Sequence, residues 1–223
     1  MTLTALEVRP MVAETTHATV QFVDLRGYTS LAERLPPARV VLLLEELFAV
    51  LSSATELHGG QIFHIAGDGM MAGFGVRDPS RDGAREALAA SHTMLRLFRP
   101  VAMRWSRELA INTGIGVGLH LGEVALGFFG PPGRQATTLV GDTVNVAARL
   151  CSRARVGEVL FSAEVAACLG AASDAGPLDA QADGPRPFLQ LPKFALRGRA
   201  APMDIWCLPV PERVELRDAT SNL

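Results

Sequence analysis

Apolar and polar positions along the chain divide it into short strands and longer helices. Ala18-Thr-Val-Gln-Phe-Val-Asp24 is a β-branched and aromatic run ending in an acid, and it predicts a strand. Leu25 to Ser30 reads as a turn around Gly27. Pro36 and Pro37 precede Ala38–Leu57, whose leucines and valines crowd one side and predict a buried amphipathic helix, closed by Gly59-Gly60. Gln61–Ile65 and Met70–Phe74 flank Ala66-Gly67-Asp68-Gly69, and Asp-Gly between strands predicts a hairpin whose two central residues take positive φ. A second helix fits Asp82 to Phe98, with Ala87, Ala90, Met94 and Leu97 on one face.

Further along, Ile111–Leu121 and Glu123–Phe128 predict a pair of glycine-rich strands, either bent or tightly packed. Thr137–Val140 is another strand, and Asp142 is the expected N-cap of a helix through Arg149 to Ser152. Glu158–Phe161 predicts a strand, Ser162–Leu169 a serine-capped helix, and Leu189–Leu196 and Pro202–Pro209 two closing strands. Residues 171–186 are rich in Ala, Gly, Asp and Pro and read as a surface excursion. The organisation expected is a lead-in over 1–16, one domain over 17–210 and a polar tail over 211–223. Its class is mixed α+β, with helices packed on one face of a sheet.

Composition narrows the chemistry. In 223 residues, 48% are apolar and 20% charged, enough to bury a full core. The 21 basic and 23 acidic side chains leave a charge of −2, which speaks against nucleic-acid binding through bulk charge. Lys193 is the sole lysine, and it lies in Leu-Pro-Lys-Phe, so a G-x-x-x-x-G-K-[ST] phosphate loop is absent. Cys151, Cys168 and Cys207 are widely spaced and form no C-x-x-C pair, which fits a reducing compartment. Leu109 to Gly122, the longest stretch free of charge and proline, is too short to span a bilayer, and the N-terminus lacks the apolar region of a secretory signal. The expected location is cytoplasmic.

Three constellations carry chemistry. Asp24 ends a strand and Asp68 sits in a turn, and two carboxylates on neighbouring strand ends can jointly bind a hard divalent cation. After Asp24, the Leu25-Arg26-Gly27-Tyr28-Thr29 segment offers backbone amides that can line a phosphate. Gly67 and Gly69 on either side of Asp68 permit close approach of a ligand. Asn145 and Arg149, at i and i+4, stand one above the other on a single helical face. Asparagine is a poor helix former, which makes its place in this small, apolar helix noteworthy.

Phe22-Val-Asp24-Leu-Arg-Gly-Tyr-Thr29, Gly67-Asp68-Gly-Met-Met-Ala72 and Gly141-Asp-Thr-Val-Asn145-Val-Ala-Ala-Arg149 resemble, in order, the three signature blocks of the class III nucleotidyl cyclase catalytic domain. Gly116-Val-Gly-Leu-His120-Leu-Gly-Glu-Val resembles that family's central hairpin, and the similarity runs from about Ala18 to Leu208. The resemblance implies a ferredoxin-like, palm-type sheet and intramolecular attack of the ribose 3′-hydroxyl on the α-phosphate. It assigns a pair of Mg²⁺ or Mn²⁺ ions per active site to Asp24 and Asp68, ribose orientation to Asn145, and transition-state stabilisation to Arg149. Ala195-Leu-Arg197-Gly-Arg199 resembles the stretch whose lysine grips the terminal phosphates, with Arg197 in that lysine's place and Arg199 its rival. It further implies a two-fold homodimer whose sites combine the acids of one copy with the asparagine and arginine of the other.

Base choice is where the chain departs from the family pattern. Adenine-selective members carry a lysine four residues before the second metal aspartate, where this chain has His64; Thr138 stands just ahead of the third block. A histidine N–H can serve adenine N1 and a threonine hydroxyl its amino group, whereas guanine is better met by a carboxylate. ATP is therefore the expected substrate and GTP the alternative. Tyr28 replaces the usual phenylalanine and is expected to pack; His92 and His120 read as structural. A degenerate domain that binds nucleotide or dimerises without turnover is the rival from another class. A dinucleotide cyclase lacks support, because no Gly-Gly-Asp/Glu-Glu-Phe signature occurs.

Overall fold

A computed structural model describes residues 14–131, 134–170, 188–194 and 202–208. In chain order the elements are β1 (Glu14–Arg26), α1 (Tyr28–Arg34), α2 (Pro37–Leu57), β2 (Gln61–Ala66), β3 (Gly69–Phe74) and α3 (Gly83–Leu109). After them come β4 (Gly114–Phe129), β5 (Ala136–Val140), α4 (Asp142–Arg153), β6 (Val159–Ser162), α5 (Ala163–Cys168), β7 (Leu189–Phe194) and β8 (Met203–Leu208). The strands form one eight-stranded sheet in the order β2-β3-β1-β4-β6-β8-β7, with β5 paired to β4. All pairs are antiparallel except β4–β6. The mixed α+β class matches the sequence expectation. The 171–186 stretch, the 211–223 tail and residues 1–13 of the lead-in lie outside the described residues, and no described helix is long and apolar enough to cross a membrane.

Strand alternation sorts β1 onto two faces. Val23 and Leu25 enter the main core with Leu31 of α1, Leu43, Leu47 and Leu51 of α2, Ala87 and Met94 of α3, and Val165 of α5. Gln21, fully buried on that face, donates to the Ala87 carbonyl at 3.2 Å and to Ser91 Oγ at 2.8 Å. Ala18 and Val20 point the opposite way and pack with Phe63, Met71, Leu139 and Ala147 of α4. The expectation of helices on one face therefore holds for α2, α3 and α5, while α4 covers the other.

Glycines on β4 explain why α4 can lie there. Ile111–Leu121 and Glu123–Phe128 are not two strands: from Gly114 onward both belong to one continuous β4, with Gly122 paired to Ala18 inside the ladder, and 111–113 precede it. A Cβ on Gly118 would collide with the Cys151 amide and the Ala147 carbonyl, and one on Gly122 would lie 2.6 Å from Thr143 Oγ1. Positions 118 and 122 share a strand face and form a track for the α4 backbone.

Four local expectations are corrected. The 25–30 turn is the end of β1 followed by α1, with Gly27 in the left-handed region at φ 83 as its N-cap. In the β2–β3 hairpin the central residues are Gly67 and Asp68, and only Gly67 has positive φ, at 60; glycine at the first central position is the type II′ requirement. The cap of α4 is Gly141 at φ 150, which places Asp142 in the first turn rather than at the cap. Helix α3 continues past Phe98 and through Pro100 to Leu109, held by Trp105, which stacks edge-on against Phe98 at 5.4 Å and donates its indole N–H to Glu46 of α2 at 2.9 Å. Asp82, expected inside α3, is its N-cap and accepts from the Arg85 amide at 3.1 Å.

Candidate active site

Strand β1 sits in the middle of the sheet, and its register sets Asp24 opposite Gly69 on β3 and Gly116 on β4. Both cross-strand neighbours lack side chains, so the half-buried carboxylate stands in a gap on the α4 face of the sheet. The short turn of the β2–β3 hairpin brings Asp68 to the same corner, next to Gly69. A Cβ on Gly69 would lie 3.5 Å from Asp24 Oδ1.

The two acids interact. Burial pushes the Asp68 carboxyl above its ordinary range, and the negative charge of Asp24 and a side-chain hydrogen bond with it act in the same direction. A backbone hydrogen bond and the Arg26 guanidinium oppose the rise without cancelling it. Two carboxylates this close repel each other, and a cation shared by both would relieve that repulsion. No cluster of three His, Cys, Asp or Glu side chains occurs among the described residues. Two carboxylates fit Mg²⁺ or Mn²⁺, hard ions that fill their other positions with water and substrate phosphate.

Arg26 lies two residues beyond Asp24, on the same face of β1. Its guanidinium pairs with Asp24 Oδ2 through Nη1, donates from Nε to the Ala154 carbonyl at 2.8 Å, and donates from Nη2 to the Cys151 carbonyl. Leu25 is buried in the core, and both Leu25 and Arg26 pair with β4, opposite Ile115 and Gly114. The segment expected to wrap phosphate is thus a strand end plus the first turn of α1, where the Leu31 amide donates to the Gly27 carbonyl at 3.1 Å, and Tyr28 and Thr29 precede that bond. The bridging role of Arg26 was missed from sequence, although its i+2 spacing from Asp24 signalled a shared face.

Helix α4 turns Thr143, Val146, Ala147, Leu150 and Cys151 toward the sheet. Asn145 is exposed and Arg149 half-buried, one turn apart on a flank of the helix. Among the described residues neither side chain is hydrogen-bonded or ion-paired, to Asp24 and Asp68 or to any other group. On the remaining side, Phe63 and Leu139 tie β2 to β5 in one apolar cluster. Their sequence neighbours are His64, exposed beside a bulge in β2, and Thr138, half-buried opposite Gly127. Arg197 and Arg199 lie outside the described residues.

Residues 11–183 match the adenylate and guanylate cyclase catalytic domain family. The chain belongs to this family. It is 33% identical over 139 residues to an adenylate cyclase of Anabaena cylindrica, covering 62% of this chain and 27% of that protein. An uncharacterized protein of Mycobacterium tuberculosis is 36% identical over 148 residues, covering 66% of this chain and 26% of the relative. This cyclase chain therefore spans about a quarter of the length of the curated relatives it matches. Among solved structures, the adenylyl cyclase CyaB from P. aeruginosa superposes with a TM-score of 0.78 at 26% identity, covering 91% of this chain and 98% of the other. The guanylyl cyclase Cya2 superposes at 0.74, also with 26% identity, covering 89% and 96%. Cyclases of both base specificities thus share this fold.

Proposed function

We propose that this chain is the catalytic domain of an adenylyl cyclase, converting ATP to 3′,5′-cyclic AMP and pyrophosphate. The observation that carries this reading is the meeting of Asp24 and Asp68 at one corner of the sheet, close enough that burial and its neighbour's charge both raise the Asp68 carboxyl. These two side chains would hold the divalent ions. Bound there, Mg²⁺ or Mn²⁺ lowers the pKa of the ribose 3′-hydroxyl and neutralises the departing pyrophosphate.

The protein's own share is positioning and charge. Asn145 orients the ribose through its amide. Arg149, whose guanidinium has no hydrogen-bond or ion-pair partner among the described residues, gives its donors to the α-phosphate oxygens as charge builds. Neither side chain is bonded to Asp24 or Asp68 of its own chain, which supports a two-fold dimer in which each cleft draws Asp24 and Asp68 from one copy and Asn145 and Arg149 from the other. Phe128 and Phe129, 53% and 71% exposed at the end of β4, offer apolar area for such a second copy to cover. Arg197 would grip the terminal phosphates.

For the base, His64 and Thr138 provide an N–H and a hydroxyl rather than a carboxylate, a set that suits adenine N1 and its amino group. The test is product identification after incubation with Mn²⁺ and each triphosphate separately. Cyclic AMP from ATP is the expected product. Cyclic GMP alone would reverse the base assignment, and no product from either would make the domain a non-catalytic nucleotide binder.

A further inference from the structure

Arg26 is the residue that the cyclase chemistry leaves without a task, yet it makes the densest set of contacts in the site. Its planar fork spans two elements. One arm holds Asp24 Oδ2, and the other arm with Nε holds the Cys151 and Ala154 carbonyls, at the C-terminal end of α4. Carbonyls in the last turn of a helix have no intrahelical partner of their own, so a guanidinium is a fitting cap. The Ala154 amide also donates back to the Cys151 carbonyl at 3.0 Å, so the same oxygen ties helix and arginine together.

The position is built for this side chain. A Cβ on Gly116 would lie 2.7 Å from Arg26 Nε and 2.9 Å from the Ala154 carbonyl oxygen. Any larger residue there would lift the fork off the strand. Gly116 is also the β4 partner of Asp24, so a single missing side chain opens room for both the carboxylate and the guanidinium. Asp24 is consequently shared: Oδ2 faces Arg26, and Oδ1 faces the Gly69–Asp68 corner.

We propose that Arg26 is a positioning residue that couples cation occupancy at Asp24 and Asp68 to the last turn of α4. The inference rests on the cation site of the proposed function. Were Asp24 and Asp68 to hold a divalent ion, their negative charge would no longer be free for Arg26, and the guanidinium would be repelled from the site. Because the fork is rigid, Arg26 cannot leave Asp24 without disturbing its bonds to Cys151 and Ala154. The last turn of α4 then loosens. Since α4 carries Asn145 and Arg149, which in the shared-site dimer serve the partner's cleft, filling one site is transmitted to the other.

The experiment uses the full chain without nucleotide, titrated with Mn²⁺, and reads backbone hydrogen exchange over residues 150–154 and Mn²⁺ affinity by electron paramagnetic resonance. Saturating Mn²⁺ should speed exchange in that turn about threefold or more. Arg26→Lys keeps the charge but loses the fork, so affinity stays near wild type while exchange no longer responds. Arg26→Gln removes the charge as well, so Mn²⁺ binds about tenfold more tightly, again without an exchange response. Wild-type exchange that is the same with and without Mn²⁺, or a response that survives in both variants, overturns the coupling alone. If no Mn²⁺ binding is removed by Asp68→Asn, the cation site itself is wrong and the coupling falls with it.

Discussion

Cys151 shows how the site's competing forces resolve at a single side chain. Its thiol donates to the Gly116 carbonyl at 3.4 Å and lies 3.7 Å from Arg26 Nη2. A guanidinium at that distance ordinarily favours thiolate. Burial outweighs it and pushes the thiol up to about 12, with the charge of Asp24 adding to the rise. Because the folded value lies above the ordinary one, at a pH between the two the folded chain keeps this proton while an unfolded chain has lost it. The associated stability is fully present below the ordinary thiol range and is lost as pH climbs toward about 12. Urea denaturation at a pH near the ordinary thiol value and again one unit higher should show wild-type stability falling by up to roughly 1.4 kcal/mol more than that of Cys151→Ala. Equal pH slopes for the two proteins would mean that the thiol is not held as described. In the native state at neutral pH, a maleimide should label the exposed Cys168 rapidly and the buried Cys151 only after unfolding.

Helix α4 and strand β4 show what could and could not be read along the chain. The acids were legible because their determinants are local: a β-branched run ends at Asp24, and a two-residue turn carries Asp68. The glycines of β4 were ambiguous, since the same composition serves a bend or a close approach, and the partner that decides between them is α4, distant in sequence. Arg26 was hidden for the same reason, its carbonyl partners lying 125 and 128 positions away. Pro100 lies inside α3 beyond the expected end at Phe98: a proline costs a helix interior about 3 kcal/mol locally, and the burial of Trp105 offsets that. The glycine track yields a contrast that separates sterics from backbone strain. Gly118→Ala must push α4 away from β4 and should cost about 3 kcal/mol in urea denaturation. Gly67→Ala meets no atom within 4 Å and should lose only about 1 kcal/mol, for its positive φ. Equal losses at the two sites would contradict the close approach of α4.

At the scale of the whole molecule, the two halves of the proposed cleft are complete but apart. Asp24 and Asp68 meet where β1 and the β2–β3 hairpin converge, whereas Asn145 and Arg149 stand on a flank of α4, their side chains unbonded among the described residues. A two-fold pairing that brings one chain's acids to the other chain's α4 creates two equivalent clefts, each using four residues drawn from both copies. Disabling opposite halves on separate chains therefore has a definite arithmetic. Asp24→Ala and Arg149→Ala homodimers each lack one half of both clefts and should be inactive. When the two proteins are mixed and exchange subunits freely, about half the dimers pair the two variants, and each such dimer has one intact cleft of two. The mixture should recover about a quarter of wild-type cyclic nucleotide production. Activity that stays at the level of the separate variants, with exchange demonstrated by differently labelled subunits, would place all four residues in the service of a single chain and rule out the shared cleft.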